Sequence, residues 1–250
     1  MNDKVHLLNA TIDNITMEQL LEKKSGTILT LHVDMIVKMQ KDRELWELMK
    51  RFDVVTCDSQ ILYFALKWLG QPLQERVSGS DYFPKFYTKY KDDPSTTIFL
   101  CGAMPGIAER ARDIINQKVG REMIVGTFSP SVDFEKKPDE IAAILKAIND
   151  SKATVCVVGL GVPKQERFIF KYRGEALPNV RLFLPLGGTI DYEAGDIVRP
   201  SPWVTEVGLE WAYRLVSEPK KRWRRYLVQQ PPLLRFLMQQ KLGTYRNPFN

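Results

Sequence analysis

Cysteine is scarce: Cys57, Cys101 and Cys156 are the only three in 250 residues. An odd, small number of thiols excludes a disulfide framework and fits a reducing cytoplasm, and each lies in or beside an apolar run, where cysteine acts as a small core residue. Histidine is scarcer still. His6 and His32 do not form a metal-ligand spacing, and no D-x-D pair is present to hold a divalent ion against a diphosphate. Asp191-Tyr192-Glu193 comes nearest and reads as local hydrogen bonding. A G-x-x-x-x-G-K-[ST] loop is missing, which excludes a standard ATPase or GTPase. Long apolar runs are missing too. The longest uncharged stretch, Pro94 to Ala108, has fifteen residues, short of the about 20 that span a bilayer. The first residues, MNDKVHLLNATIDN, lack the basic start and apolar core of a signal peptide.

What is present is a globular composition, 44% hydrophobic and 26% charged, long enough to bury a large core without covalent staples. The 36 basic and 30 acidic residues are unevenly placed. From Arg199 onward ten basic residues face three acidic ones, a net of +7, whereas positions 1–198 carry a net of −1. The C-terminal segment therefore holds the whole positive excess and is expected to meet an anionic partner: phosphate, anionic lipid or nucleic acid.

Short β-branched runs recur at Thr27–His32, Asp53–Cys57, Thr97–Cys101, Met123–Thr127, Thr154–Leu160 and Arg181–Leu186. Helical spacing separates them over Asp34–Lys50, Ser59–Leu69, Gly106–Val119, Pro138–Asn149 and Lys164–Tyr172. Strands without polar alternation, separated by helices, predict an α/β, Rossmann-like fold: a largely parallel sheet with helices on both faces. The N-terminal VHLLNATIDNIT predicts an extra strand or hairpin at the sheet edge. Pro200-Ser201-Pro202 punctuates the chain, so residues 1–198 are expected as one domain and 199–250 as a basic, aromatic-rich helical appendage. Within it, one helix carrying Val204, Val207, Gly208, Trp211 and Leu215 on one face is expected to run to Pro219, and a last helix to follow Pro231-Pro232.

Ligands of open parallel sheets bind beyond the carboxyl ends of the strands. Three glycine loops fall there: Gly102-Ala103-Met104-Pro105-Gly106, Gly159-Leu160-Gly161-Val162-Pro163-Lys164-Gln165-Glu166 and Gly187-Gly188-Thr189-Ile190-Asp191. Their glycines either make tight strand–helix turns or let a backbone approach a phosphate. Lys164 occupies the third glycine position of a dinucleotide fingerprint, so NAD is not expected and a nucleoside diphosphate remains open. Asp58, after the second run, either caps the following helix or serves as a general base. Arg76, in Glu75-Arg76-Val77-Ser78-Gly79-Ser80-Asp81, either makes a surface ion pair or binds a phosphate.

Several stretches resemble the WecG/TagA/CpsF bacterial glycosyltransferases: Asp58-Ser59 after a strand, the Glu75–Asp81 block, Gly159-Leu160-Gly161-Val162-Pro163-Lys164-Gln165-Glu166, Gly187–Asp191, Gly208-Leu209-Glu210-Trp211 through Leu215, Glu218-Pro219 and Arg222-Trp223-Arg224-Arg225-Tyr226. The ordered match spans about residues 27–227. The resemblance implies an inverting, metal-independent hexosyltransferase without a cofactor. Such an enzyme moves a sugar, hexose or N-acetylhexosamine, from a UDP-sugar to a polyprenyl-diphosphate-linked saccharide in cell-surface polysaccharide or teichoic-acid-type synthesis. It implies Asp58 as catalytic base and Arg76 as a phosphate or acceptor contact. Thr30, His32 and Gln165 then meet sugar or diphosphate, and Gly102, Gly159, Gly161, Gly188 and Asp191 line the nucleotide pocket. Arg214, Arg222, Arg224 and Arg225 approach the lipid diphosphate. The appendage is implied to close the site at the cytoplasmic face of the membrane, the protein being peripheral there; a homo-oligomer is left open. Members usually carry Asn two residues after the threonine, where His32 stands here, an imidazole that titrates near neutrality in place of an amide. The alternative is a nucleotide- or nucleic-acid-binding protein without transferase activity. Against nucleic acid, the tail's aromatics lie on one basic segment, KKRWRRY, rather than over a sheet face.

Overall fold

In the computed structural model, which describes residues 3–198, 201–217 and 219–249, the β-branched runs form strands and the periodic stretches form helices. The strands are β1 (Lys4–Leu7), β2 (Ala10–Asp13), β3 (Gly26–Leu31), β4 (Val54–Cys57), β5 (Ile98–Gly102), β6 (Ile124–Phe128), β7 (Val155–Gly159) and β8 (Leu182–Leu184). The helices are α1 (Met17–Leu21), α2 (Val33–Met39), α3 (Arg43–Met49), α4 (Gln60–Trp68), α5 (Gly79–Lys89), α6 (Ile107–Val119), α7 (Pro138–Asp150), α8 (Lys164–Tyr172) and α9 (Thr189–Glu193). Toward the C-terminus follow α10 (Pro202–Glu206), α11 (Glu210–Ser217), α12 (Pro219–Arg224), a π-helical turn (Arg225–Gln229) and α13 (Pro232–Lys241).

Six strands form one parallel sheet in the order β4-β3-β8-β7-β5-β6, an α/β Rossmann-like fold. The chain divides into two units: residues 1–17, 30–78 and 199–250, and residues 18–29 and 79–198. In the second unit β5 pairs with both β6 and β7, and β7 with β8, all parallel. Period-two alternation puts Phe99 and Cys101 of β5, Cys156 and Val158 of β7 and Phe183 of β8 on one face, against Ile144 and Ile148 of α7 and Phe168 and Ile169 of α8. The alternate residues Ile98, Leu100, Val155 and Val157 are buried as well, which is why these strands read as unbroken apolar runs.

In the first unit β1 and β2 form an antiparallel hairpin that is a sheet of its own, rather than an edge of the main one. The hairpin's Asp13 accepts from the Val55 amide of β4 (2.8 Å). The C-terminal helix is fastened to the same hairpin: Gln240 accepts from the Leu8 amide (2.8 Å) and donates to the His6 carbonyl (3.0 Å). Tyr245 donates to Gln40 (2.7 Å), the Phe249 ring lies against Trp46, and Leu233 and Leu237 are buried. Residues 34–50, expected as one helix, are two. Asp42 accepts from the Leu45 amide (2.9 Å) and so caps a new helix three residues after α2 ends. The helix expected to run to Pro219 is likewise broken: Gly208, at φ +80°, separates α10 from α11. No helix among the described residues is long and apolar enough to cross a membrane.

Candidate active site

Strands β5 and β7 are neighbours, yet the chain leaving β5 returns as β6 on one side and the chain leaving β7 returns as β8 on the other. Their carboxyl ends therefore flank a topological switch point, where helix N-termini splay apart and leave a crevice. The glycines there have different physical reasons. Gly102 adopts φ +136°, and a Cβ on it would stand 2.4 Å from the Gly159 carbonyl oxygen. A Cβ on Gly159 would stand 3.0 Å from the Gly187 carbonyl oxygen and 3.0 Å from the Ile190 side chain. These three turns are stacked main chain on main chain, so tight packing alone requires glycine at 102 and 159. Gly161 needs glycine for its φ of +77°, with open space around its missing side chain. Gly188 is the exception: its φ is an ordinary −85° and nothing lies within 4 Å of a Cβ there. Neither strain nor crowding accounts for it.

Gln165, in the first turn of α8, is 3% exposed. Its Nε2 donates to the buried Glu166 carboxylate (2.8 Å), while its Oε1 has no partner and faces Gly187, whose Cβ would lie 3.8 Å away. A buried carbonyl without a donor costs roughly 1–3 kcal/mol. With the amide nitrogen committed to a carboxylate, this oxygen suits a ligand hydroxyl or N–H rather than a phosphate. Asp191, half-buried, sits in the short helix α9 behind the Gly188 turn. That helix is pinned by Glu193, which takes a hydrogen bond from Tyr87 (2.8 Å) and an ion pair from Lys118 (3.5 Å).

The first unit carries the other expected residues. Thr30 is buried near the end of β3, and His32 starts α2 with extended backbone and no side-chain cap. Asp58 follows β4, its amide donating to the Leu31 carbonyl (3.0 Å). The Arg76 guanidinium donates to the Asp58 carbonyl (2.8 Å), and the Val77 amide donates to the Cys57 carbonyl (3.1 Å). The segment 76–77 thus runs along the end of β4 and fixes Asp58 through its main chain. The cap position of α4 is Ser59 rather than Asp58. Burial pushes the adjacent Cys57 thiol up to about 12, with the Asp58 charge raising it further and Arg76 opposing. Among the described residues no three His, Cys, Asp or Glu side chains are grouped as metal ligands.

A model of the glycosyl transferase WecG/TagA/CpsF family matches residues 5–247. The chain belongs to this family. WecG/TagA/CpsF proteins are glycosyltransferases of cell-surface polysaccharide synthesis, and the match includes the C-terminal segment as well as the sheet. In that segment Arg225 is half-buried and ion-paired with Asp34, while Arg224 is exposed; the side chains of Arg214 and Arg222 lie outside the described residues, as do Arg199 and Pro200. Trp203, Leu209, Trp223 and Leu227 are exposed on it. Sequence reasoning missed Asp34, Glu166 and Glu193, three buried carboxylates. Asp34 and Glu166 fall in stretches of helical spacing and Glu193 in a triplet read as local hydrogen bonding; partners distant in sequence distinguish Asp34 and Glu193.

Proposed function

We propose that this WecG/TagA/CpsF glycosyltransferase moves a hexose or N-acetylhexosamine from a UDP-sugar to a polyprenyl-diphosphate-linked saccharide. It does so with inversion, as a peripheral protein on the inner face of the cell membrane. Asp58 carries the reading. It follows β4 directly, and its main chain is fixed there by the Leu31 carbonyl and the Arg76 guanidinium, which sets a carboxylate at the carboxyl end of that strand, where ligands of open parallel sheets bind. As general base, Asp58 takes the proton of the acceptor hydroxyl while that oxygen bonds to the anomeric carbon, and the bond to UDP breaks with its electron pair leaving on the diphosphate.

The UDP moiety is assigned to the glycine turns of the second unit, with the open space at Gly188 and the Gln165 carbonyl receiving ligand groups. The sequence offers no D-x-D pair, so the diphosphates are assigned to arginine: the departing one to Arg76, and that of the lipid-linked acceptor to Arg224 and Arg225, with Arg214 and Arg222. Exposed Trp203, Trp223 and Leu227 among these cations suit a membrane interface. His32 replaces the family's usual amide near Thr30 and is assigned to donor-sugar choice.

The test is transfer from a panel of UDP-sugars to a polyprenyl-diphosphate-linked acceptor. Asp58→Asn should lower turnover by about 10²–10⁴-fold while calorimetric UDP binding stays at the wild-type value. Turnover within a few-fold of wild type would remove Asp58 as the base.

A further inference from the structure

Asp34 lies in the first turn of α2, three residues beyond β3, and is 9% exposed. A carboxylate so withdrawn from water needs partners, and both come from the far end of the chain. One oxygen is ion-paired with Arg225, and the other accepts from Gln230 Nε2 (2.6 Å), a residue 196 positions away. In a regular α-helix, at 3.6 residues per turn, positions 225 and 230 would point about 140° apart. They do not, because residues 225–229 form a π-helical turn closed by the Gln230 amide on the Arg225 carbonyl (3.1 Å). The i→i+5 closure stacks the two side chains on one side, so one carboxylate takes both, and such turns are frequent at functional sites. The Arg225 guanidinium also lies 5.6 Å from the Tyr226 ring, which contacts Trp211 of α11.

We propose that Asp34 is a positioning residue: through its two oxygens it holds Arg225 and Gln230, and so fixes where the arginine-bearing C-terminal segment stands relative to the end of β3 for transfer to the lipid-linked acceptor. The functional half of this rests on the glycosyltransferase reading above. Stability alone does not explain the arrangement. A withdrawn ion pair contributes little net stability compared with a well-packed apolar pair, whereas a fork of two hydrogen-bonding directions fixes geometry. Asp34 does not touch the reacting atoms; it acts through Arg225.

The full-length protein is compared with Asp34→Asn, with Gln230→Leu, which removes only the neutral arm, and with the charge exchange Asp34→Arg/Arg225→Asp. Amide hydrogen exchange over 219–230 should rise about tenfold or more in Asp34→Asn, rise less in Gln230→Leu, and leave 43–49 and 98–102 at wild-type rates. The charge exchange should restore much of that protection. With UDP-sugar and a polyprenyl-diphosphate acceptor, Asp34→Asn should raise the acceptor KM and leave the donor KM unchanged. Unaltered exchange over 219–230 in both single variants overturns the proposal, and so does an increase spread evenly through residues 3–78, which would mark a purely structural role. Absence of transfer by the wild-type protein would sink the glycosyltransferase reading instead, because the exchange rates judge the latch without turnover.

Discussion

Replacing Gly102 by alanine adds one methyl group where β5 and β7 part. That methyl would stand 2.4, 2.5 and 2.8 Å from the oxygen, carbonyl carbon and Cα of Gly159, against the about 3.5–4.0 Å of ordinary carbon contact. The obstacle is main chain that cannot swing aside. The Gly159 carbonyl takes the Ala103 amide (3.3 Å), and behind it Gly159 is pressed against Gly187. Relief requires a strand end to move by about an ångström. Overpacking of that kind costs about 1–3 kcal/mol, and holding alanine at a φ of +136° costs about 1–3 kcal/mol more. The sum is about 2–6 kcal/mol, and at about 2–4 °C per kcal/mol the midpoint falls by about 4–24 °C. The assay is thermal unfolding followed by circular dichroism at 222 nm. Gly120→Ala serves as the matched control, since Gly120 has φ +73° but nothing within 4 Å of a Cβ. It should lose only the conformational part, about 1–2 kcal/mol or 2–8 °C. If Gly102→Ala loses no more than Gly120→Ala, the close approach of β5 and β7 is not as described, and the steric reason given for these glycines fails with it.

Gly188→Ala should behave oppositely: its ordinary φ and open surroundings predict a stability change within about 0.5 kcal/mol, but calorimetry should show UDP binding weakened about tenfold or more. Unchanged affinity would mean that no ligand enters that space. Tyr87→Phe removes the buried hydrogen bond to Glu193 and should cost about 1–3 kcal/mol in urea unfolding; a neutral result would show that this bond does not hold α9. Burial pushes the thiols of Cys57 and Cys101 from 9.0 up to about 12. They should therefore resist alkylation at pH 8 in the native protein and react on unfolding. Because their folded values are raised, the unfolded chain ionises first: stability is full below pH 9 and falls from there toward pH 12, by up to about 1.4 kcal/mol per pH unit for each thiol. Cys57→Ala should make that decline shallower by one thiol's share, and an unchanged slope in urea titrations between pH 9 and 11 would count against the burial argument.

The sheet was legible because its strands are buried on both faces, and an unbroken run such as Thr154–Leu160 has few other uses; it became β7 with its ends trimmed. Breaks were less legible. Asp42 and Gly208 each stop a periodic stretch, one by offering a cap and one by a left-handed turn, and periodicity counted over a long window passes across both. Helix α5 went unread because Pro84 interrupts its pattern. At the site, residue type located the glycine turns but did not tell Gly102, required by a neighbouring strand, from Gly188, required by nothing in the chain. That distinction is one of distances. Asp34 was beyond reach for another reason: its partners lie at positions 225 and 230, a spacing that α-helical reasoning places on opposite sides.

The hairpin of β1 and β2 leaves the ribosome well before Gln240, which bridges the His6 carbonyl and the Leu8 amide from 234 and 232 positions later. At about 5–20 residues per second, on the order of 10–50 s of synthesis separate the two. Residues 79–198, the bulk of the second unit, are complete well within that interval, while the His6 carbonyl and the Leu8 amide wait for helix α13 to emerge. The hairpin is thus made long before its last fastening, so a chaperone acting during synthesis would find its client there.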